Sequence, residues 1–130
     1  MFRFLMIVLG GAAGTAARYG MQHWARGALG PAFPWGTLFV NLLGSFLIGL
    51  IMTLGLEAEV MSVTTRMALV TGVMGGFTTY SSFNYETLQL VETRATALAL
   101  ANVGGTLVGC WIMGALGLLA GRRIVAGLAG

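Results

Sequence analysis

Lysine and aspartate are missing from this sequence; all seven basic residues are arginine and all four acidic ones glutamate. Charged residues make up only 8% of the chain, whereas an ordinary soluble domain carries roughly 25%. With 57% hydrophobic residues and a mean hydropathy of +0.86, the composition excludes a soluble globule and indicates an integral membrane protein with almost no soluble part. A net charge of +3 is too sparse for a nucleic-acid footprint, which needs a clustered basic face. The single cysteine, Cys110, excludes an intrachain disulfide and a cysteine-rich metal site. The single histidine, His23, argues against a histidine-cluster metal site or a Ser-His triad within one chain. No pairing of nucleophile and base is visible, so an enzyme is not expected.

What the sequence does contain is four apolar segments, at about residues 4–25, 35–56, 62–91 and 95–121. Each is long enough to span ~30 Å of hydrocarbon. They predict an all-α membrane protein, a single transmembrane domain covering residues 1–130 with four transmembrane helices. The small residues Gly10 to Ala17 imitate a signal-peptidase site, but no polar mature domain follows. They read better as the small face of a membrane helix packed on a neighbour. Gln22, His23, Trp24 and Arg26 mark the end of that span, where tryptophan is enriched at the interface. A turn-rich loop, Gly27 to Pro34, leads into the second span. Glu57, Glu59 and Arg66 lie in the loop after it, and Arg122 and Arg123 end the fourth span.

The third segment carries no charge from Ala68 to Tyr85, yet Thr71 to Phe83 holds Gly72, Gly75 and Gly76 beside the hydroxyls of Thr78, Thr79, Ser81 and Ser82. Glycines are poor in a helix interior, and Ser and Thr offer the backbone competing hydrogen bonds. One reading is a helix broken near mid-membrane, which would present bare carbonyls and amides to ions. The other is close helix packing, since Gly72 and Gly76 form a GxxxG pair. Both stay open from these residues alone. Beyond this stretch, Tyr80, Phe83 and Thr87 share one helical face, and Glu86 lies one turn after Phe83 in a still apolar region.

Other polar residues sit inside apolar spans. Arg18 lies deep in the first, where a charge is costly and faces the bundle interior or a partner subunit; the alternative is snorkelling out to the interface. Asn41 lies within the second; it serves either as interhelical glue or as a donor lining a pore, because its NH₂ can point at an anion. Asn102, Thr106 and Cys110 follow at steps of four, one mildly polar stripe along the fourth. Gly105 and Gly109 make a further GxxxG pair. Four spans place both termini on one side with Arg3, Arg66, Arg122 and Arg123, opposite Arg26 and Arg94. So small a bias instructs orientation weakly. Two copies inserted oppositely would then pair as an antiparallel two-fold dimer.

At Gly75-Gly76-Phe77-Thr78-Thr79-Tyr80-Ser81-Ser82-Phe83 the chain resembles the Fluc (CrcB) family of bacterial fluoride channels, whose pattern is approximately Gly-Gly-x-Thr-Thr-Phe-Ser-Thr-Phe. Gly10-Gly11-Ala12-Ala13-Gly14 leading to Arg18-Tyr19, and Trp35 through Ser45, are similar to the family's first and second helices. Glu86 stands where the family has a glutamate after the aromatic pair. The resemblance implies an antiparallel dual-topology homodimer in the bacterial inner membrane, with two parallel fluoride pores. It implies an anion path along Asn41, Tyr80 and Phe83, joined by the hydroxyls of Ser81 and Ser82, the track Asn102, Thr106 and Cys110, and Glu86. It implies one central, non-transported sodium ion (Na+) on the backbone carbonyls of Gly75 and Thr78. Arg18 resembles the family's first-helix arginine. Two positions depart from the pattern: Tyr80 replaces the first Phe, and Cys110 stands where a hydroxyl residue is common.

Two other classes fit a small four-span chain. A dual-topology multidrug cation exporter needs a titratable acid in its first span, and this chain has Arg18 there instead. A scaffold subunit would use its small-residue faces for packing only, and would leave every ion flux indifferent to Phe83→Ile.

Overall fold

The computed structural model describes residues 1–58 and 60–128; Glu59, expected in a loop, lies outside the described residues. Helix α1 runs Phe2–Leu29 and α2 runs Trp35–Glu57. Then follow α3 at Val63–Met67, a π-helical stretch at Ala68–Met74, α4 at Gly75–Phe77, α5 at Tyr80–Glu92 and α6 at Thr96–Leu128. Among the described residues no strand occurs. Among the described residues three helices, α1, α2 and α6, are long and apolar enough to cross a membrane.

Local chemistry explains the helix ends. Gly30 closes the last turn with its N–H on the Arg26 carbonyl at 3.1 Å, and its φ of 82°, readily adopted only by glycine, turns the chain out of the helix. Pro34 then sets the start of α2. The hydroxyl of Ser62 accepts the N–H of Thr65 at 3.1 Å and caps α3. The expectation that Arg122 and Arg123 end the last helix does not hold: α6 continues to Leu128. Arginine is a good helix former, and Ile124-Val125-Ala126 supply no breaker until Gly127.

The bundle is held by close backbone approaches rather than by a wide core. α1 packs on the π-helical stretch and α4, and α2 packs along α6. A methyl on Gly10 would lie 2.6 Å from the Ala68 carbonyl, and one on Gly72 2.7 Å from the Ile7 carbonyl. The glycines at 72 and 76 thus do make the close packing that their spacing announces. On the other pair of helices the tight contacts fall at Gly49, Gly117 and Gly121 and, against the end of the Leu42 side chain, at Gly109. Gly105 of the expected pair has only an ordinary contact with Leu38. The small apolar core consists of Val40, Met74 and Phe77. Many large side chains, Phe4, Leu9, Leu107 and Trp111 among them, face outward, as they would toward lipid or a second chain.

Candidate functional site: the Thr78–Thr79 interruption and its polar flank

Between α4 and α5 the backbone leaves the helix. Thr78 (φ −78°, ψ 158°) and Thr79 (φ −154°, ψ 115°) are both extended. In a continuous helix the Thr79 N–H would bond to Gly75 and the Ser82 N–H to Thr78. Here Thr79 N–H donates to Asn41 Oδ1 at 2.8 Å, and Ser82 N–H donates to the Thr79 hydroxyl at 3.2 Å. The carbonyls of Gly75 and Thr78 are thereby released from helical duty.

Three side chains fasten this interruption. Asn41 is buried and grips Thr79 with both ends of its amide, Nδ2 donating to the Thr79 carbonyl at 3.0 Å. The second N–H of that amide stays available. Arg18 Nη1 donates to the Thr78 carbonyl at 3.3 Å, so the arginine of the first span turns inward rather than out to the membrane surface. The Thr78 hydroxyl donates to Met74 at 3.0 Å and closes the upstream helix. Its methyl occupies the hollow above Gly44, where any Cβ would collide with it.

Beyond the interruption, α5 lies between α2 and α6 and carries polar groups toward both. Phe83 is buried, and its ring lies 5.6 Å from that of Tyr80, tilted by 55°. Tyr80 itself is 74% exposed. Ser81 is exposed and Ser82 half-buried, with both hydroxyls within 3.3 Å of the Thr79 hydroxyl. Toward α2, Thr37 donates its hydroxyl to Glu86 Oε1 at 2.9 Å. Toward α6, Asn102 Nδ2 donates to the Thr87 hydroxyl at 2.8 Å, which donates to the Phe83 carbonyl at 2.7 Å. Among the described residues, three buried side-chain oxygens keep no partner: Glu86 Oε2, Asn102 Oδ1 and Thr106 Oγ1. Cys110 is a free, half-buried thiol further along the same helix.

A cavity of about 750 Å³ opens onto this flank from the end where α1 meets α2. Tyr19, Arg26, Trp35, Thr37, Ser82 and Glu86 line it. The rings of Phe33, Trp35, Phe39 and Trp24 pack in sequence, each tilted on the next, with centroids 4.7 to 6.4 Å apart, the kind of aromatic belt found at a membrane surface.

The structure therefore gathers Asn41, Phe83, Glu86 and Asn102 along one helix flank and sets Arg18 at the interruption. It leaves Tyr80 and Ser81 on the outside of the chain. Sequence reasoning passed over Thr37, the partner of Glu86, and placed Thr87 on the Tyr80–Phe83 face without giving it a role as the partner of Asn102. A single threonine in a span is too common to single out. The signal available was position: Thr37 lies one turn before Asn41, and Thr87 one turn after Phe83.

A family model for the CrcB-like protein, Camphor Resistance (CrcB), matches residues 5–118. This chain belongs to the CrcB-like protein family. A relative from Sorangium cellulosum, named fluoride-specific ion channel FluC, is 53% identical over 127 residues, covering 98% of this chain and all of the relative. Relatives of the same name from an Anaeromyxobacter species and from Thermus thermophilus are 54% and 47% identical; they cover 86% and 95% of this chain and 89% and 96% of their own lengths. Within this CrcB-family chain, the matched region contains the whole interruption and its polar flank. Among the described residues, no group of three or more His, Cys, Asp or Glu is placed to hold a metal ion.

Proposed function

We propose that this chain is a passive fluoride channel that lets the anion leave the cell down its electrochemical gradient. The observation that carries this reading is the flank of polar groups between α5 and α6, from Glu86 to Asn102 and Thr106, with three buried oxygens unpartnered among the described residues, in a chain whose relatives are named fluoride channels. Buried polar atoms without partners are costly. Water or an ion moving along the flank would satisfy the Thr106 hydroxyl, and water would satisfy the two acceptor oxygens.

Fluoride is small, and moving such an ion unaided into an apolar medium costs tens of kcal/mol. The path must replace its water. The free N–H of Asn41 and the hydroxyls of Ser81, Ser82 and Thr106 do this as neutral donors, and Cys110 contributes a weak one. The rings of Phe83 and Tyr80 offer their positive edges. Such donors hold weakly enough for the ion to leave again, which conduction requires.

The proposal extends to four crossings, with the stretch from Val63 to Glu92 as the interrupted third, near mid-membrane. Two copies pair in opposite orientations in the bacterial inner membrane and form two pores. Exposure of Tyr80 and of Gly75 on the surface of one chain supports a second chain completing the path. The freed carbonyls of Gly75 and Thr78 suit a hard cation, which takes oxygen ligands, and two copies would offer four such oxygens to a structural sodium ion. The Thr78 oxygen has a second lone pair beyond the one used by Arg18. When bound, the ion would neutralise those oxygens and join the two chains. α1 holds no acidic side chain, so proton-coupled cation export finds no support.

Vesicles containing the purified protein test the reading with a fluoride electrode and a chloride electrode. Fluoride is expected to leave rapidly and chloride at the background rate. Phe83→Ile is expected to slow fluoride at least tenfold, about 1.4 kcal/mol of added barrier. Equal release of both halides, or no release of either, would overturn it. Exchanging sodium for a much larger cation during purification is expected to split the dimer and abolish efflux. Dimers that stay intact and conduct without sodium would remove the structural ion.

A further inference from the structure

We propose that Gln22 is a positioning residue of the anion path: it sets the direction of the Thr37 hydroxyl and through it holds the Glu86 carboxylate in place. This rests on the channel reading above. At the crossing of α1 and α2, a Cβ on Gly36 would lie 2.6 Å from Gln22 Cα. That near-contact of backbones brings the Gln22 side chain against the first turn of α2. Its Nε2 donates to Thr37 Oγ1 at 3.0 Å, and Thr37 Oγ1 donates to Glu86 Oε1 at 2.9 Å.

The order of donors follows from the inventory of protons. The amide nitrogen only donates, and a hydroxyl has one proton to give. With one lone pair occupied by Gln22, Thr37 spends that proton on the carboxylate. A reversed amide would set two acceptors against one proton. Ser45, Thr53 and Thr87 each donate to the carbonyl four residues earlier, at 2.7 to 2.9 Å, the ordinary habit of Ser and Thr in helices, and Thr87 does so even while accepting from the Asn102 amide. Thr37 stands in the first turn of α2, where the residue four back lies outside the helix, and its proton goes across to Glu86 instead.

Glu86 depends on this arrangement because Oε1 carries its one hydrogen bond and Oε2 has none. The carboxylate lies on the wall of the 750 Å³ cavity, where an anion must pass. Released from Thr37, it is free to swing into that space and oppose the anion by charge. Gln22 lines the same cavity, and its effect on Glu86 is exerted at one remove, through Thr37.

Two near-isosteric substitutions separate positioning from packing. Gln22→Met keeps the volume and removes the donor; Gln22→Glu keeps the shape and competes for the Thr37 proton. Both are expected to slow fluoride efflux from vesicles by on the order of tenfold or more, the loss typical of a hydrogen bond linked to a charged group. Thr37→Val is expected to do the same, and the Gln22→Met/Thr37→Val double variant to be no slower than Thr37→Val, because members of one network are not additive. Isosteres that conduct as the parent, or a double variant slower by the product of the two, would overturn the proposal. A second readout is independent of transport. The chain has two glutamines, Gln22 and Gln89, so their ¹⁵N side-chain amide signals are readily assigned. The Gln22 pair is expected to move in Thr37→Val and in Glu86→Gln. Unmoved signals sink the relay, whereas moved signals in a protein that passes no fluoride would sink the channel reading and keep the relay.

Discussion

Asn41→Asp is expected to cut fluoride efflux about a thousandfold. At an effective dielectric of 20, a carboxylate about 4 Å from a passing anion costs roughly 4 kcal/mol, and each ~1.4 kcal/mol is tenfold in rate. The same change strikes the interruption itself. Aspartate can still accept from the Thr79 N–H, but it has no N–H for the Thr79 carbonyl that Asn41 now holds at 3.0 Å. Asn41→Leu goes further and strands both groups of a buried residue, at about 1–3 kcal/mol each. Efflux and the thermal midpoint of the purified protein measure the two effects separately. An aspartate variant that conducts like the parent would take Asn41 out of the path and leave it only as a clamp.

Gly76→Ala is expected to destabilise the protein severely. The added Cβ would collide with the carbonyl of Gly11 and come within 3.1 Å of the Thr15 N–H. Both are backbone atoms of α1, so no side chain can rotate out of the way, and overpacking of this kind costs ~3 kcal/mol or more. It would also pry α1 from the segment that carries the released carbonyls, and pull Arg18 off Thr78. Gly27→Ala is the matched control. Nothing lies within 4 Å of its Cβ, so the change is expected to be neutral or slightly favourable, within about 1 kcal/mol. Thermal midpoints of the two variants decide it; equal stability would contradict the backbone contact between α1 and α4.

The helical architecture was readable because long apolar runs separated by Gly27–Pro34 and Glu92–Arg94 leave few alternatives. The region from Thr71 to Phe83 stood out for a related reason: hydroxyls and glycines without charge are costly in an apolar run unless something satisfies them. What lay beyond reading was pairing. Asn41 and Thr79 are 38 residues apart and Thr37 and Glu86 49 apart, and no local pattern links them. Gln22 looked like a polar marker at a membrane surface, yet the crossing at Gly36 turns it toward Thr37. The length of α6 was misjudged because two arginines resemble a stop, while helix propensity carries the coil past them.

The π-helical stretch at Ala68–Met74 gives the chain a tolerance in its length. A π turn spans five residues per hydrogen bond where an α turn spans four. Deleting one residue there can be taken up by tightening the coil, leaving Gly76, Thr79 and Phe83 facing as they do now. The same deletion in the middle of α2 would rotate every later side chain by about 100°, and carry Asn41 or Gly49 away from its partner. Of the long apolar segments, the one that looks least regular is the one that can forgive a missing residue.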